Sequence, residues 1–450
     1  MRLSAVVSPL RGLLGSLTHG VVDAGLASLA TFAVGLVAIR TLSPSDLGIY
    51  AVFFSAFVLA TILPREFVLV PVEVVIVGEP VDRRLGSYRK GLRLGFLVAV
   101  PSLIFVGIAY AFTVGANSSI ALVFLVTSGL VVLISPLQDH MRRMFHLSQE
   151  SDLAMLTSLT QTVAAVVAIG VLLGAGIPAE WVPFGALTIA NAVSLLVAIG
   201  LAQRRAPIEG SAHLGFVGLT RRGRWLVMGA STKSAAFFGA TVIIATLAGA
   251  DWLGYSEAAR VASQPLLVLI TGISAVTGPR STAAAAHADR RSAREVSLLF
   301  WTIGAIAGIG SLLVFGGAWV WNPLAYIIPN AYEVPGLVAV TLLSNILVAA
   351  LSPLRSEMLG GRRERKVAQI DVVSSLVLVA TAATAAVTLS FARPLAMIAS
   401  ALTRGVGFGF VVPRIYASAP HDGSDDVSIK PSEVRPGSDS DPDAVHGLDY

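Results

Sequence analysis

The 450-residue chain has no cysteine, which excludes disulfides, thiolate metal centres and cysteine nucleophiles. Charge is scarce as well, with Asp, Glu, Lys and Arg making up 13% of residues. Aromatic residues reach only 7%, few for a site that must hold flat cations by cation–π contact. There is no P-loop, zinc-protease helix or Gly-x-Ser-x-Gly elbow. No loop exceeds roughly 25 residues, too short for a catalytic domain. Nucleotide hydrolysis therefore has no place to reside, no cofactor is expected, and the chain is not expected to be an enzyme. Work must be driven by an ion gradient, the membrane potential or downhill consumption of a product.

What fills the chain is apolar sequence. Hydrophobic residues make up 55% and mean hydropathy is +0.77, arranged in runs of about 20 residues, the length that spans a bilayer as helix. These runs predict an all-α integral membrane fold with twelve spans, at 17–39, 47–77, 92–113, 119–138, 153–174, 180–202, 225–248, 252–278, 295–318, 334–354, 367–391 and 394–412. Basic residues alternate with the loops. Arg83, Arg84, Arg89, Lys90 and Arg93, then Arg142 and Arg143, then Arg204 to Arg224, then Arg280 to Arg294, then Arg355 to Lys366, share one side; the other holds only Arg40 and Arg393. Positive loops stay cytoplasmic, so the expectation is a multi-pass protein of the cytoplasmic membrane with both termini inside. Residues 1–16 lack a cleavage site after a proper apolar core and predict a short helix on the inner surface. From Ser418 onward Ser, Pro, Gly and Asp dominate, so 413–450 is expected to be a disordered acidic tail.

The chain repeats itself. "ISPLQDHM" at 134–141 returns as "LSPLRSEM" at 351–358, and the same offset matches Ser158-Leu159 to Ser375-Leu376. "TLSPSDLGIY" at 41–50 returns as "TLAGADWLGY" at 246–255. Both echoes fall at equivalent places of a six-plus-six plan. Six spans per unit is even, so two lobes, 17–202 and 225–412, should share one orientation around a central cavity, joined by a basic linker at 203–224. Ser-Pro-Leu is also common helix punctuation, and the phrases look like shared fold features, not substrate contacts.

Residues 21–54, "VVDAGLASLATFAVGLVAIRTLSPSDLGIYAVFF", resemble the first two helices of polysaccharide-biosynthesis proteins. These are oligosaccharide flippases of the multidrug/oligosaccharidyl-lipid/polysaccharide exporter (MOP) superfamily. The resemblance rests on Arg40, the turn Leu42-Ser43-Pro44, and Asp46, Gly48 and Tyr50. It implies movement of a polyprenyl-diphosphate-linked glycan across the membrane by alternating access. It also implies membrane lipids and glycan-assembly enzymes as partners, no nucleic acid, and action as a monomer.

Charges inside lipid are expensive and face a cavity or a partner. They fall at Asp23, Arg65, Glu66, Glu73, Lys233, Glu257, Arg260 and Arg404, all but Arg404 on spans one, two, seven and eight. Arg65, Lys233, Arg260 and Arg404 are the candidate cations for an anionic head group, because guanidinium grips phosphate oxygens bidentately. Asp23, Glu66 and Glu257 are the candidates for a coupling ion or proton. Each has a plainer reading. Glu257 and Arg260 can neutralise each other at i,i+3; Asp23 can be satisfied by His19; Glu73 can be interfacial. Arg65 can cap carbonyls freed by Pro64, and Lys233 can snorkel. Arg404 either pairs with a carboxylate of its own lobe or faces the cavity, beside Gly405, Gly407 and Gly409, which suit close packing. Gln161, Asn191 and Asn345 read as hydrogen-bonding glue. The rival functions are a cation-coupled multidrug exporter of the same superfamily and a membrane-embedded polymerase or ligase. The latter would need catalytic groups in an outer loop, and the longest, 319–333, is almost uncharged.

Overall fold

A computed structural model describes residues 4–205, 215–315 and 323–417. The middle of the expected linker, 206–214, the start of the outer loop at 319–333 and the tail beyond residue 417 lie outside the described residues, as does the side chain of His19. The helices are α1 (Ser4–Thr41), α2 (Pro44–Val77), α3 (Val81–Thr113), α4 (Ser118–Leu147), α5 (Ser151–Gly174) and α6 (Val182–Arg205). The second half has α7 (Phe216–Leu247), α8 (Ala250–Ala262 continued by Gln264–Ala286), α9 (Arg290–Phe315), α10 (Leu337–Gly360), α11 (Glu364–Ala385) and α12 (Ala392–Ala417). Their number and order follow the twelve apolar runs. α7 already begins at Phe216, inside the stretch the sequence assigns to the linker. In lipid every backbone donor and acceptor must be satisfied within the segment, which leaves helix as the form such runs can take.

Helices α1–α6 pack into one lobe and α7–α12 into the other. The first lobe is centred on a ring cluster in which Tyr50 lies 4.9 Å from Phe184 and 6.0 Å from Phe124. At the face carrying the basic loops, Arg84 ties three turns together by donating to the carbonyls of Val77, Glu79 and Leu147. The two Ser-Pro-Leu phrases do not end their helices as punctuation would. α4 runs through Pro136 to Leu147, and α10 breaks only at Leu351 and resumes to Gly360. A proline removes one donor without stopping a helix whose flanks are packed. In α2, Pro64 is followed by a π-helical turn at Arg65–Leu69, so its lost hydrogen bond is absorbed as one wide turn.

The lobes meet through α1 and α2 on one side and α7 and α8 on the other. Their tightest crossing, at the face opposite the basic loops, explains the second echo. A methyl at Gly48 would strike the Ala250 carbonyl, and one at Gly254 would strike the Pro44 carbonyl. The start of each helix therefore lies on a glycine of the other. Ser43 fixes the turn above by accepting from the Asp46 amide at 3.2 Å while its hydroxyl donates to the Asp46 carboxylate at 2.6 Å. Tyr332 donates across the seam to the Leu42 carbonyl at 2.7 Å, and Arg40 donates to the Tyr326 carbonyl. Gly48→Val or Gly254→Val should pry this end open. The chain lacks thiols, so spin labels on Ser43→Cys and Glu333→Cys report it directly. Their separation should lengthen by several ångström in either valine variant, and an unchanged distance distribution would contradict the close crossing.

Candidate functional site

The second lobe contains a run of cavities whose walls carry an excess of cations. The largest of them, about 240 Å³, is lined by Lys233, Ser352, Arg355, Asp371 and Arg404, with the uncharged polar Thr271, Ser274 and Asn345 and apolar neighbours between them. A second, about 170 Å³, shares Lys233 and Arg404 with it and is closed from the first lobe by Val58. A third, also about 170 Å³, continues past Phe237 and Met397 to Arg260 and Arg393. The cleft thus runs beside the lobe interface, from Arg355 near the basic face to Arg393 near the opposite one.

Each cation has its place from local sequence. Lys233 lies about 10 Å of helix beyond Leu226, where the apolar stretch of α7 begins. Its side chain is exposed to the cleft and makes no hydrogen bond or ion pair among the described residues. With no carboxylate engaging it among the described residues, this ammonium is available to an arriving anion. Arg404 on α12 donates to Ser374 Oγ at 2.9 Å and stands 3.2 Å from an Asp371 oxygen on α11. It therefore both pairs within its lobe and lines the cavity. Gly407 lets α11 approach at Ile370. Arg355 comes from the repeated phrase on α10 and lies 3.6 Å from the other Asp371 oxygen. The phrase therefore does contribute to the cleft wall, through Ser352 and Arg355.

Towards the opposite face Glu257 is fully buried between two guanidiniums. Arg260 grips it with Nε at 2.9 Å and Nη2 at 2.6 Å, and Arg393 holds its second oxygen at 2.6 Å. The expected Glu257–Arg260 pair is present, but it is part of a triad. Arg393, which the sequence places in a loop, is buried in it. Each arginine also covers a ring, Arg260 that of Phe54 across the seam and Arg393 that of Phe237, both at 4.8 Å. These contacts spread the charge over apolar surface.

The first lobe is different: its charges compensate one another. Asp23 accepts from Ser158 Oγ at 2.5 Å, with His146 Nε2 at 2.9 Å and Arg142 at 3.3 Å. Asp139 binds Arg142 at 2.6 Å and Arg143 at 3.0 Å. Glu73 is not a lone interfacial group; it meets His140 at 3.1 Å and Arg143 at 3.6 Å. Arg65 and Glu66 face each other at 3.4 Å on the π turn, with Arg65 about half exposed at 46%. Arg65 is thus not brought together with Lys233, Arg260 and Arg404. Gln161 donates to Asn191 at 2.6 Å and Asn345 to Ser263 at 2.7 Å, as glue should. No cluster that could hold a metal ion occurs among the described residues.

Sequence reasoning missed Asp371, Arg355, Arg393 and the Arg142–Arg143–His146 set. Asp371 and Arg393 stand so near the ends of apolar runs that they read as interfacial. Only the pairing of helices shows that they turn inward.

No family model matches the chain, and no curated protein matches it in sequence. Solved structures do match in fold. The inward-facing conformation of a multidrug resistance MATE family transporter of the MOP superfamily aligns with a TM-score of 0.65 at 16% identity, covering 88% of this chain and 98% of that one. The outward-facing conformation of such a transporter gives 0.58 at 16% identity, with 90% and 95% covered. A MOP superfamily transporter from Pyrococcus furiosus, described as having a binding pocket of reverse polarity that suggests a different function, gives 0.61 at 14% identity, with 90% and 95% covered. The chain therefore has the twelve-helix, two-lobe fold of the MATE transporters of the MOP superfamily.

Proposed function

We propose that this chain is an alternating-access transporter that carries an amphiphilic anion, a polyprenyl-diphosphate-linked glycan, across the membrane. The observation that carries this reading is the polarity of the cleft. Lys233, Arg355 and Arg404 are set against the single carboxylate of Asp371 in the cavity lining, and Lys233 has no partner among the described residues. A diphosphate cannot cross about 30 Å of hydrocarbon unaided. A cleft that already holds desolvated cations offsets the loss of its hydration, while the polyprenyl tail stays in lipid. The lobes meet closely both at the Gly48–Gly254 crossing and where Gly223 abuts the Phe67 carbonyl nearer the basic face, so opening toward the basic face requires the second contact to part. On the proposed orientation that face is cytoplasmic, and loading occurs there. The candidate proton or ion carboxylates, Asp23, Glu66 and Glu257, each stand beside an arginine in this structure; Asp23, with His146 beside it, is the one that protonation could release.

A second reading is a cation-coupled multidrug exporter, favoured by the solved relatives that are described as multidrug transporters. Against it stands the cationic cleft, which repels organic cations. Reconstitution into liposomes separates the two. With lipid-linked diphosphate sugar loaded in one leaflet, the protein should raise the rate at which sugar becomes accessible on the other, and a cationic dye should not be moved. Dye transport without sugar transport would replace the first reading by the second.

A further inference from the structure

Asp371 sits where an incoming anion would sit. It is 5% exposed, and it is the carboxylate that the lining of the 240 Å³ cavity contains. It holds two guanidiniums, yet neither well. Arg404 stands 3.2 Å from one oxygen with the same Nε that Ser374 engages. Arg355 stands 3.6 Å from the other, beyond hydrogen-bonding distance, with its side chain half exposed. Both guanidiniums keep unused donors. The repeat supplies an internal control. At the same offset the first lobe has Gln138 in place of Arg355 and Ala154 in place of Asp371. There Gln138 donates to Ser194 and Gln161 at 3.1 and 3.4 Å, so the two positions that correspond to Arg355 and Asp371 are filled without charge. The Arg355–Asp371–Arg404 group is thus not required by the fold it stands in.

We propose that Asp371 is an internal counter-anion for a phosphate or diphosphate head group, competing with it for Arg355 and Arg404 and so setting how readily it is released. This rests on the anion-carrying reading above. When the head group is seated among Lys233, Arg355 and Arg404, Asp371 is relieved of the two arginines. As the head group departs, the arginines return to Asp371 instead of being left naked in a low-dielectric cleft. Without that competitor a site of three cations would bind tightly and release slowly.

The sign of one substitution decides. A merely structural carboxylate, when neutralised, leaves a looser cleft and weaker anion binding; a competitor, when neutralised, leaves tighter binding. The full chain in detergent is titrated with inorganic pyrophosphate by calorimetry at several salt concentrations. Asp371→Asn should bind about tenfold more tightly than wild type and show the steeper salt dependence of an uncompensated cation cluster. Its transport turnover should fall. Asp371→Glu, which keeps the charge and reaches closer to Arg355, should bind pyrophosphate more weakly than wild type, and it serves as the test if the asparagine variant does not fold. Asparagine binding that is equal or weaker, glutamate binding that is equal or tighter, or no pyrophosphate binding by wild type would each overturn the inference. A titration with polyprenyl diphosphate in the same detergent separates the two sources of the head group: tighter binding than pyrophosphate marks a lipid carrier, equal binding a free diphosphate. If the Asp371 signs are as expected while no lipid-linked sugar is moved, the counter-anion stands and the proposed substrate falls. If sugar is moved but the signs are reversed, only the counter-anion falls.

Discussion

Reversing the charge of Lys233 should abolish transport. Lys233→Glu would add a second carboxylate to a cleft that now sets three cations against one, and at an effective dielectric near 20 a pair of charges about 5 Å apart is worth about 3 kcal/mol. The expected loss in initial rate is on the order of a hundredfold or more. Lys233→Ala removes attraction without adding repulsion and should lose roughly tenfold, and Lys233→Arg should lie nearest wild type because it keeps the charge. Rates are read in the liposome assay at matched membrane abundance. Because Lys233 makes no hydrogen bond or ion pair among the described residues, none of the three changes should lower the melting temperature by much. Equal rates across wild type, alanine and glutamate would remove Lys233 from the path. Arg65→Ala belongs beside them as a contrast: on the π turn of the other lobe, next to Glu66, it should change the rate far less.

The opposite behaviour is expected of Glu257. It is fully buried between Arg260 and Arg393, and removing one member of such a group leaves unmatched charge in low dielectric at about 3–5 kcal/mol. Glu257→Gln should therefore cut folded yield and lower the melting temperature in detergent by roughly 5–10 °C, before any effect on transport is measured. A triple replacement of Glu257, Arg260 and Arg393 by Met, Leu and Met removes the charges together and should recover most of that stability. If the recovered triple variant also transports at the wild-type rate, Arg260 has no part in carrying substrate. If it is stable and inactive, Arg260 or Arg393 serves the path as well as the fold.

These two cases also mark where sequence stops being informative. The twelve spans and the six-plus-six order were legible because hydrophobic runs of bilayer length admit one backbone solution. The echo around Gly48 and Gly254 was legible as a repeat, but its cause was not, since a backbone-to-backbone crossing between lobes leaves no mark beyond two glycines. Charged residues deep inside runs, such as Lys233 and Arg404, were easy to single out. Their partners were not. Asp371 and Arg393 lie near run ends, where charge is ordinary, and Arg355 lies in a phrase that looks like punctuation. Asp23 shows the same limit: sequence offers a neighbour one turn away, His19, whose side chain lies outside the described residues, whereas the structure adds Arg142, His146 and Ser158 from helices over a hundred residues distant. Pairing inside a helical bundle is decided by which faces meet, and single-sequence periodicity does not supply that.

The excess of cations around Lys233 has an electrical consequence. Empty, the corner formed by Lys233, Arg355, Arg404 and Asp371 carries a net charge of about plus two; loaded with a doubly charged diphosphate diester, it is close to neutral. On the proposed orientation the voltage across the membrane, negative inside, then acts little on the loaded protein during its outward stroke. It acts chiefly on the empty one, drawing the bare cations back toward the cytoplasmic side with up to about 2.3 kcal/mol per charge for each 100 mV of potential that they traverse. The resting potential would thus power the reset and not the delivery. Under saturating substrate, collapsing it with an ionophore should slow repeated cycles while leaving the first turnover nearly untouched.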